Sequence, residues 1–528
     1  MTSLPGYLCL VLHGHLPFVR HPEMPECLEE DWFFEAITEV YLPLLGMFRR
    51  LRDDGVRFKV SFSLSPTLIA MMRDPLLVSR CDGHLTHLIR LAEAECHRTA
   101  GSPEFAPLAK MYLERFLWCR QLWADSFRRD LISVFEDLHR SGHVELMTTA
   151  ATHGFLPLME VTPAALRAQV KVGLDAFQDA FGFQPTGFWL PECGYTPLVG
   201  RALADAGVRY TFLETHGILH ATPRPAFGVY APIRSPEGLV LFGRDPETAR
   251  QVWSSVDGYP GDPWYRDFYR DIGFDLSEEI LKPHLYHGGQ RVATGIKYFR
   301  ITGRTQEKEP YHPAAAQERV ATHAGNFLFN RERQAEHLSG VMKQSPVIVA
   351  MYDAELFGHW WFEGPAWLEA LFRAFDSRSS AVRLSTPREL FQKSLRIQGC
   401  AAHLSTWGWK GYNEVWLQGA NAWIYRHLHR AAWRMDELTA SHSSASGLIQ
   451  RALTQALREL LLAQASDWPF ILANGTASGY AQARLTSHLT RFTRLYEQLK
   501  TGSIDEKWLG FIEGQDNLFP FLAPQVYR

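Results

Sequence analysis

Short apolar runs that halt at a polar residue recur along this chain, and stretches with helical spacing lie between them. Tyr7 to Leu12 stops at His13-Gly14-His15, and Val144 to Thr149 leads to His153. Gly187 to Leu190 stops at Pro191-Glu192-Cys193-Gly194-Tyr195. Tyr210 to Glu214 ends on an acid with His216 just beyond, and Val347 to Tyr352 stops at Asp353. Phe58 to Leu64, closed by Pro66, and the shorter runs Gly238 to Gly243 and Val382 to Thr386 complete the set. Continuous apolar runs of this length, separated by helices, predict parallel strands buried on both faces. The fold class is therefore α/β and barrel-like, with its chemistry at the carboxyl ends of the strands. The residues found there are His, Glu and Asp, the side chains that move protons.

The intervening segments set the domain plan. Asp31 to Asp53 repeats Trp32, Ala36, Val40, Leu44 and Phe48 at about every fourth position, which predicts a helix capped by Asp31 and ended by Gly55. Residues from about 67 to 140 are helical by pattern, broken at Gly101-Ser102-Pro103, and read as a helical insertion. Further helices are expected over Pro163–Phe181 and Pro313–Ser339. From about 221 to 305, frequent Pro and Gly break all periodicity. This stretch carries Tyr230, Trp253, Tyr259, Trp264, Tyr265, Tyr269 and Tyr286, too many aromatics for disorder, and reads as a loop-rich lid. Beyond about 400 the pattern turns helical, with segments running to about Leu438, near Gly447–Gln464 and near Gly479–Lys500. Ser466-Asp467-Trp468-Pro469-Phe470 reads as a polar and aromatic break. The expected division is a catalytic unit over 1–400 and a helical C-terminal domain over 401–528.

Composition excludes several partners. A net charge of −3 offers no electrostatic footing for nucleic acid or an anionic membrane. No apolar run reaches the length of a membrane span, and the N-terminus lacks a signal-peptide pattern, so a cytoplasmic protein is expected. The seven Cys are scattered without a CxxC pair, which argues against a disulfide framework or a structural zinc. His13 and His15 alternate on one strand face and could bind a metal or a substrate, but two ligands are too few for a metal site. No cofactor or metal is expected. Aromatic residues make up 13% of the chain, with 16 Trp, and indole faces are suited to the apolar C–H faces of sugars.

Two strand-end carboxylates, Glu192 and Asp353, are what breaking an acetal requires. One protonates the leaving oxygen and the other attacks the sugar carbon or activates water. A separation of about 5–5.5 Å would retain configuration through a covalent intermediate, and about 6.5–9.5 Å would invert it.

Several motifs in order resemble those of family 57 glycoside hydrolases. They are His13-Gly14-His15-Leu16-Pro17, Ala151-Thr152-His153-Gly154, Trp189-Leu190-Pro191-Glu192, Tyr352-Asp353-Ala354-Glu355-Leu356-Phe357-Gly358-His359-Trp360-Trp361 and Trp407-Gly408. Within that family they are most similar to those of 1,4-α-glucan branching enzymes, supported by Val252-Trp253-Ser254, Gly258 to Tyr265 and Gly295-Ile296-Lys297-Tyr298. His15 stands where the family often has Gln. The resemblance implies an incomplete seven-stranded (β/α) barrel with a helical insertion and a helical C-terminal domain. It implies Glu192 as nucleophile, Asp353 as general acid/base, and His13, His15 and His153 around the bound glucose unit. The implied reaction cuts an α-1,4 linkage, holds the glucan on Glu192 and transfers it to a 6-hydroxyl as an α-1,6 branch. The glucan polymer is the implied partner.

By position in these motifs Trp32, Trp264, Trp407 and Trp416 are stacking candidates, each with core packing as the alternative. Family branching enzymes carry a Tyr at the tip of a mobile loop, and Phe227 to Pro232 matches it best, which points to Tyr230. Arg270, Gly289 and Asp467 are added as polar or backbone contacts, Asp467 having a cap role as its alternative. Three other readings stay open. One is a 4-α-glucanotransferase or α-glucan hydrolase of the same family. Another is metal-dependent deglycosylation or deacetylation on a related barrel, through His13, His15, His153 and Asp353. The last is a glucan-binding protein without catalysis.

Overall fold

The computed structural model describes residues 5–284, 289–377, 380–391, 393 and 395–527; Tyr286 lies outside them. Nine strands are found among these residues: β1 Gly6–Gly14, β2 Val60–Leu64, β3 Val144–Thr148, β4 Tyr210–Leu213, β5 Ile233–Arg234, β6 Val240–Gly243, β7 Val347–Asp353, β8 Val382–Leu384 and β9 Gln398–Gly399. β1 is central. One edge pairs in parallel with β7, and the other pairs with β8 through Gly6–Leu8 and then with β2 through Val11–Gly14. β3 continues the sheet beyond β2.

Gly187 to Leu190 does not form the expected ladder strand. It makes two isolated parallel bridges, Phe188 to Thr148 of β3 and Gly187 to Tyr210 of β4. That suffices to join the first sheet to the second, in which β4 pairs with β6. The circle then holds β1, β2, β3, the 187–190 segment, β4, β6 and β7, all parallel. It stays open between β6 and β7 because the outer edge of β6 is taken by the antiparallel β5. One backbone bond, from Asp245 N to Val349 O at 2.9 Å, crosses the gap, and the Arg244 side chain donates to Met351 O at 3.4 Å. The helix Pro246–Trp253 lies against this opening, its Thr248 carbonyl accepting from the Tyr352 hydroxyl at 3.0 Å.

Strand parity decides what faces the barrel interior. Cys9 and Val11, Tyr210 and Phe212, Val240 and Phe242, and Val347, Val349 and Met351 pack together inside. Leu8, Leu10, Leu12, Ile348, Ala350 and Tyr352 face outward into the helical layer. Each inward series, carried two residues further, ends on a polar side chain: His13, Glu214, Arg244 and Asp353. The floor of the site is thus the continuation of the apolar core.

Between β2 and β3 the chain is helical, over Pro66–Arg73, Pro75–Thr99, Ala106–Gln121 and Leu131–Arg140. The expected helix over 31–53 has a wider central turn: Asp31–Glu35 and Leu42–Asp53 are α-helical, and Ala36–Tyr41 between them is π-helical. Such bulges often occur where a helix serves a functional site. From Trp423 the chain forms helices over Trp423–Ser441, Gly447–Ala463, Ser478–Thr501 and Glu506–Gln515. The expected break at 466–470 is instead the start of a helix, Asp467–Asn474, seated between them.

The loop after β7 is locked against the π-helical turn. Gly358 has φ +120, and a Cβ there would stand 1.9 Å from the Glu39 carbonyl oxygen. We expect Gly358→Ala to destabilise the protein by about 1–3 kcal/mol and to displace His359 and Trp360. Urea unfolding would test this, and an unchanged midpoint would contradict it.

Candidate active site

Nine of the predicted site residues come together. His13, His15, Trp32, His153, Glu192, Asp353, Trp407, Trp416 and Asp467 line one cavity of about 630 Å³ at the carboxyl ends of the strands. Ladder register places the first of them: His13 of β1 is paired with Ser63 on one side and Asp353 on the other.

Glu192 sits in a 3₁₀ turn, Pro191–Cys193, with φ +59 and ψ +22. Cys193 at φ +50 and His153 at φ +55 share this left-handed backbone. Non-glycine residues held there cost roughly 1–3 kcal/mol each, and such strain is concentrated at functional sites. The Glu192 carboxylate receives two donors. Trp407 Nε1 donates to Oε2 at 2.9 Å, and Ser466 Oγ donates to Oε1 at 3.0 Å. Burial pushes its pKa above the ordinary carboxylate range, while these two hydrogen bonds pull against the rise.

Asp353 is in the opposite state. Among the described residues no side chain donates a hydrogen bond to it. Burial, then the like charges of Glu355 and Glu192, push its pKa well above the usual range. Burial pushes the Glu355 pKa up as well, against the pull of the bonds it accepts from the Tyr41 hydroxyl at 2.5 Å and from His15 N at 3.2 Å.

The imidazoles divide similarly. His13 and His153 are pushed well below the usual value by burial and by the neighbouring His15. His15 is opposed by burial, but Asp467, with both oxygens 3.1 Å from Nε2, outweighs it and raises its pKa. His15 also stacks on His153 with centroids 3.8 Å apart. Asp467 therefore acts from its side chain on His15, not only as the first residue of its helix.

The aromatic candidates separate. Trp407 meets Glu192 through its indole N–H, so its edge, rather than a stacking face, serves the nucleophile candidate. Trp32 lines the cavity and packs edge-on against Tyr480 at 5.7 Å. Trp416 is a core side chain, 1% exposed and stacked on Phe155 at 4.4 Å, with only an edge on the cavity. Trp264 is not among the lining residues; Arg300 covers its ring at 4.3 Å. Arg270 is held by Asp275 at 2.9 Å and by the Phe299 ring, away from the cavity. Gly289 does not line it either, and among the described residues no heavy atom lies within 4 Å of where its Cβ would stand. Tyr230 ends a short 3₁₀ turn, Gly228–Tyr230; its hydroxyl accepts from Gln334 at 3.4 Å, and it is not among the residues that line the cavity. Gln334 belongs to the helix Pro313–Met342 on the outside of the barrel.

Other residues complete the site. Arg244 pairs with Glu214 at 3.0 Å and lies over the Trp407 ring. Its inward parity after Val240 and Phe242 could have revealed it. Trp253 and Trp360, in edge contact at 6.0 Å, form part of the rim with the exposed Trp409. Glu39 holds His359 at 2.6 Å; burial pushes Glu39 up, but His359 outweighs it and brings the pKa to about 2. Among the described residues the one trio close enough to share a metal ion is Glu459, His488 and Asp516, none of which lines the cavity. His13, His15, His153 and Asp353 form no such group.

Loss of the indole donor should be costly while binding persists. We expect Trp407→Phe to lower kcat by roughly 10- to 100-fold with little change in KM, the equivalent of one hydrogen bond to a charged group. A rise in KM with unchanged kcat would make Trp407 a stacking platform after all.

An open parallel barrel that brings two carboxyl groups of contrasting state into an aromatic-rimmed cleft defines a glycoside-processing enzyme. The chain belongs to glycosyl hydrolase family 57, whose model matches residues 9–400. A second model, the C-terminal region of 1,4-alpha-glucan branching enzymes, matches residues 427–527. A 1,4-alpha-glucan branching enzyme of Thermococcus kodakarensis is 32% identical over 98% of this chain and 78% of its own length. Among solved structures, the alpha-amylase AmyC from Thermotoga maritima is 41% identical, with a TM-score of 0.92 over 99% of each chain. The family 57 branching enzyme from Pyrococcus horikoshii is 31% identical, with a TM-score of 0.89 over 99% of this chain and 96% of its own. No helix among the described residues is long and apolar enough to cross a membrane.

Proposed function

We propose that this protein is a 1,4-α-glucan branching enzyme that works by retaining double displacement. The observation that supports the division of roles is the contrast between its two carboxyl groups. Glu192, held by two donors, is kept as the anion; Asp353, without donors and facing two other acids, is kept as the acid. Glu192 attacks the anomeric carbon as the C1–O4 bond breaks, and Asp353 gives its proton to the departing O4. The glucan is then an ester of Glu192. An acceptor chain brings its 6-hydroxyl, Asp353 takes that proton, O6 attacks C1, and Glu192 leaves as carboxylate. The new bond is α-1,6. In this reading His15, paired with Asp467, holds the sugar hydroxyls, and the tryptophans of the rim stack on the chain; their presence in the lining of one cavity supports it.

The test is product analysis on amylose, counting new α-1,6 linkages by proton NMR against reducing ends released. Branches in excess of reducing ends support the proposal. Reducing ends without branches would make the protein an α-glucan hydrolase, and new α-1,4 linkages alone a 4-α-glucanotransferase.

The hydrolase reading has two observations in its favour: Tyr230 does not line the cavity, and the structure of AmyC, described as an alpha-amylase, is more similar to this chain than that of the Pyrococcus horikoshii branching enzyme. For this chain we expect Tyr230→Ala to leave the ratio of branches to reducing ends unchanged. A fall in that ratio would mean that residues 227–232 leave Gln334 and cover the glucan during turnover.

A further inference from the structure

Four side chains besides the carboxylate pair form an unbroken hydrogen-bonded line that ends on Glu192. Ser63 Oγ lies 3.3 Å from His13 Nδ1, and His13 Nε2 lies 3.0 Å from His153 Nε2. His153 Nδ1 lies 2.9 Å from Ser466 Oγ, which lies 3.0 Å from Glu192 Oε1. Ser63, His13, His153 and Ser466 are all buried.

The chemistry of the terminal group gives the line a direction. A carboxylate only accepts, so the single proton of the Ser466 hydroxyl goes to Glu192. Ser466 Oγ must then accept from His153 Nδ1–H. A neutral His153 has a bare Nε2, which accepts from His13 Nε2–H. His13 is left bare at Nδ1 and accepts from the Ser63 hydroxyl. One proton occupies each gap and none is left over. Two facing Nε2 atoms 3.0 Å apart have room for one proton only, which requires at least one imidazole to be neutral; burial favours neutrality in both.

Ser466 forgoes an easier role to take part. It occupies the N-cap position of the helix Asp467–Asn474, where a serine hydroxyl ordinarily accepts from the helix N–H groups, worth about 1 kcal/mol. Here its side chain makes no capping bond. The backbone holds it in place: Ser466 N donates to His153 O at 3.1 Å, and Ala465 bridges Gly154 antiparallel.

We propose that Ser466 is the positioning residue of the nucleophile: it orients Glu192 Oε1 and fixes His153 as the Nδ1–H tautomer and His13 as the Nε2–H tautomer. The proposal rests on reading Glu192 as the nucleophile. It makes the helical C-terminal segment a contributor to the chemical step, and it assigns His13 and His153 to each other at Nε2 rather than to the sugar.

The tautomers can be read in the wild-type protein labelled with 15N-histidine, the two signals being assigned by their loss in His13→Gln and His153→Gln. One Nε2–H and one Nδ1–H tautomer, respectively, are expected; a protonated His153, or the reversed pair, overturns the proposal. Ser466→Ala should lower kcat about 10- to 100-fold with KM unchanged, as for a lost bond to a charged group. It should also move the acid limb of the pH profile upward, since Glu192 loses a donor that favours its charge. Ser466→Thr should restore both. Because no capping bond is lost, the helix Asp467–Asn474 should persist, with the helical circular dichroism signal unchanged. A fall in kcat with an unmoved acid limb would reduce Ser466 to packing and overturn the proposal, as would full activity in Ser466→Ala. Failure of the underlying reading shows separately: a 5-fluoro α-glucosyl fluoride would then label a residue other than Glu192 in the wild type.

Discussion

Glu192→Gln is expected to lose turnover on amylose by about 10⁴-fold or more, the scale of removing a covalent nucleophile. The substitution is nearly isosteric. Trp407 can still donate to the amide oxygen, and the amide NH2 in place of Oε1 can donate to Ser466 Oγ, so the loop and the cavity should persist, and glucan affinity should change little. The cause of the loss is specific: an amide oxygen cannot form the glycosyl ester. Calorimetric binding of a maltooligosaccharide, set beside turnover, separates the two effects. Lost affinity together with lost turnover would mean that the strained turn at 191–193 had collapsed. Retained turnover would remove Glu192 from the mechanism.

Asp353→Asn is expected to cost about 10²–10⁴-fold on glucans, the usual contribution of a general acid. The loss should shrink with an activated aryl α-maltoside, whose leaving group departs without a proton. The covalent intermediate then accumulates, because no base remains to activate the acceptor. Added azide needs no base and should restore turnover, giving an α-glycosyl azide. An azide product of opposite configuration would overturn the double displacement. The pH profile follows from the same pair. Glu192 must be ionised, so the rate rises as pH climbs through its raised pKa. Asp353 must be protonated, so the rate falls as pH climbs through its more strongly raised pKa. Glu355 contributes to the second limb, because its charge disfavours that of Asp353. Glu355→Gln should therefore move the alkaline limb downward.

Much of this site was legible before any tertiary contact was known. Glu192 and Asp353 stand directly after continuous apolar runs, and such runs in an α/β chain put their final residues at one end of the barrel. His13, His15 and His153 were found by the same signal. Arg244 and Glu355 carried comparable signals, the first through its parity in β6 and the second by lying two residues beyond Asp353. Ser466 carried none. Its neighbours looked like a polar break, and its partner Glu192 is remote in sequence. Gly187 to Leu190 was misjudged as a full strand because two bridges suffice to close the sheet there. Tyr230 was chosen on its local motif, yet a hydroxyl bonded to Gln334 on a distant helix holds it off the cavity. Trp264 and Arg270 were chosen in the same way and are held by Arg300 and Asp275.

The amino-acid order by itself determined the parallel strands, their inward and outward faces, and hence which polar residues crown the barrel, because period-two alternation and apolar run length are properties of neighbours in the chain. Only the tertiary structure decided that the barrel stays open beside β6, that the helix Asp467–Asn474 brings Asp467 into the cleft and its N-cap Ser466 against Glu192, and that Glu192 is furnished with donors while Asp353 is left without side-chain donors among the described residues. The first outcome rests on which edge of β6 takes up β5, and the others on hydrogen bonds between residues hundreds of positions apart, made or lost over a few tenths of an ångström; local sequence pattern carries no measure of either.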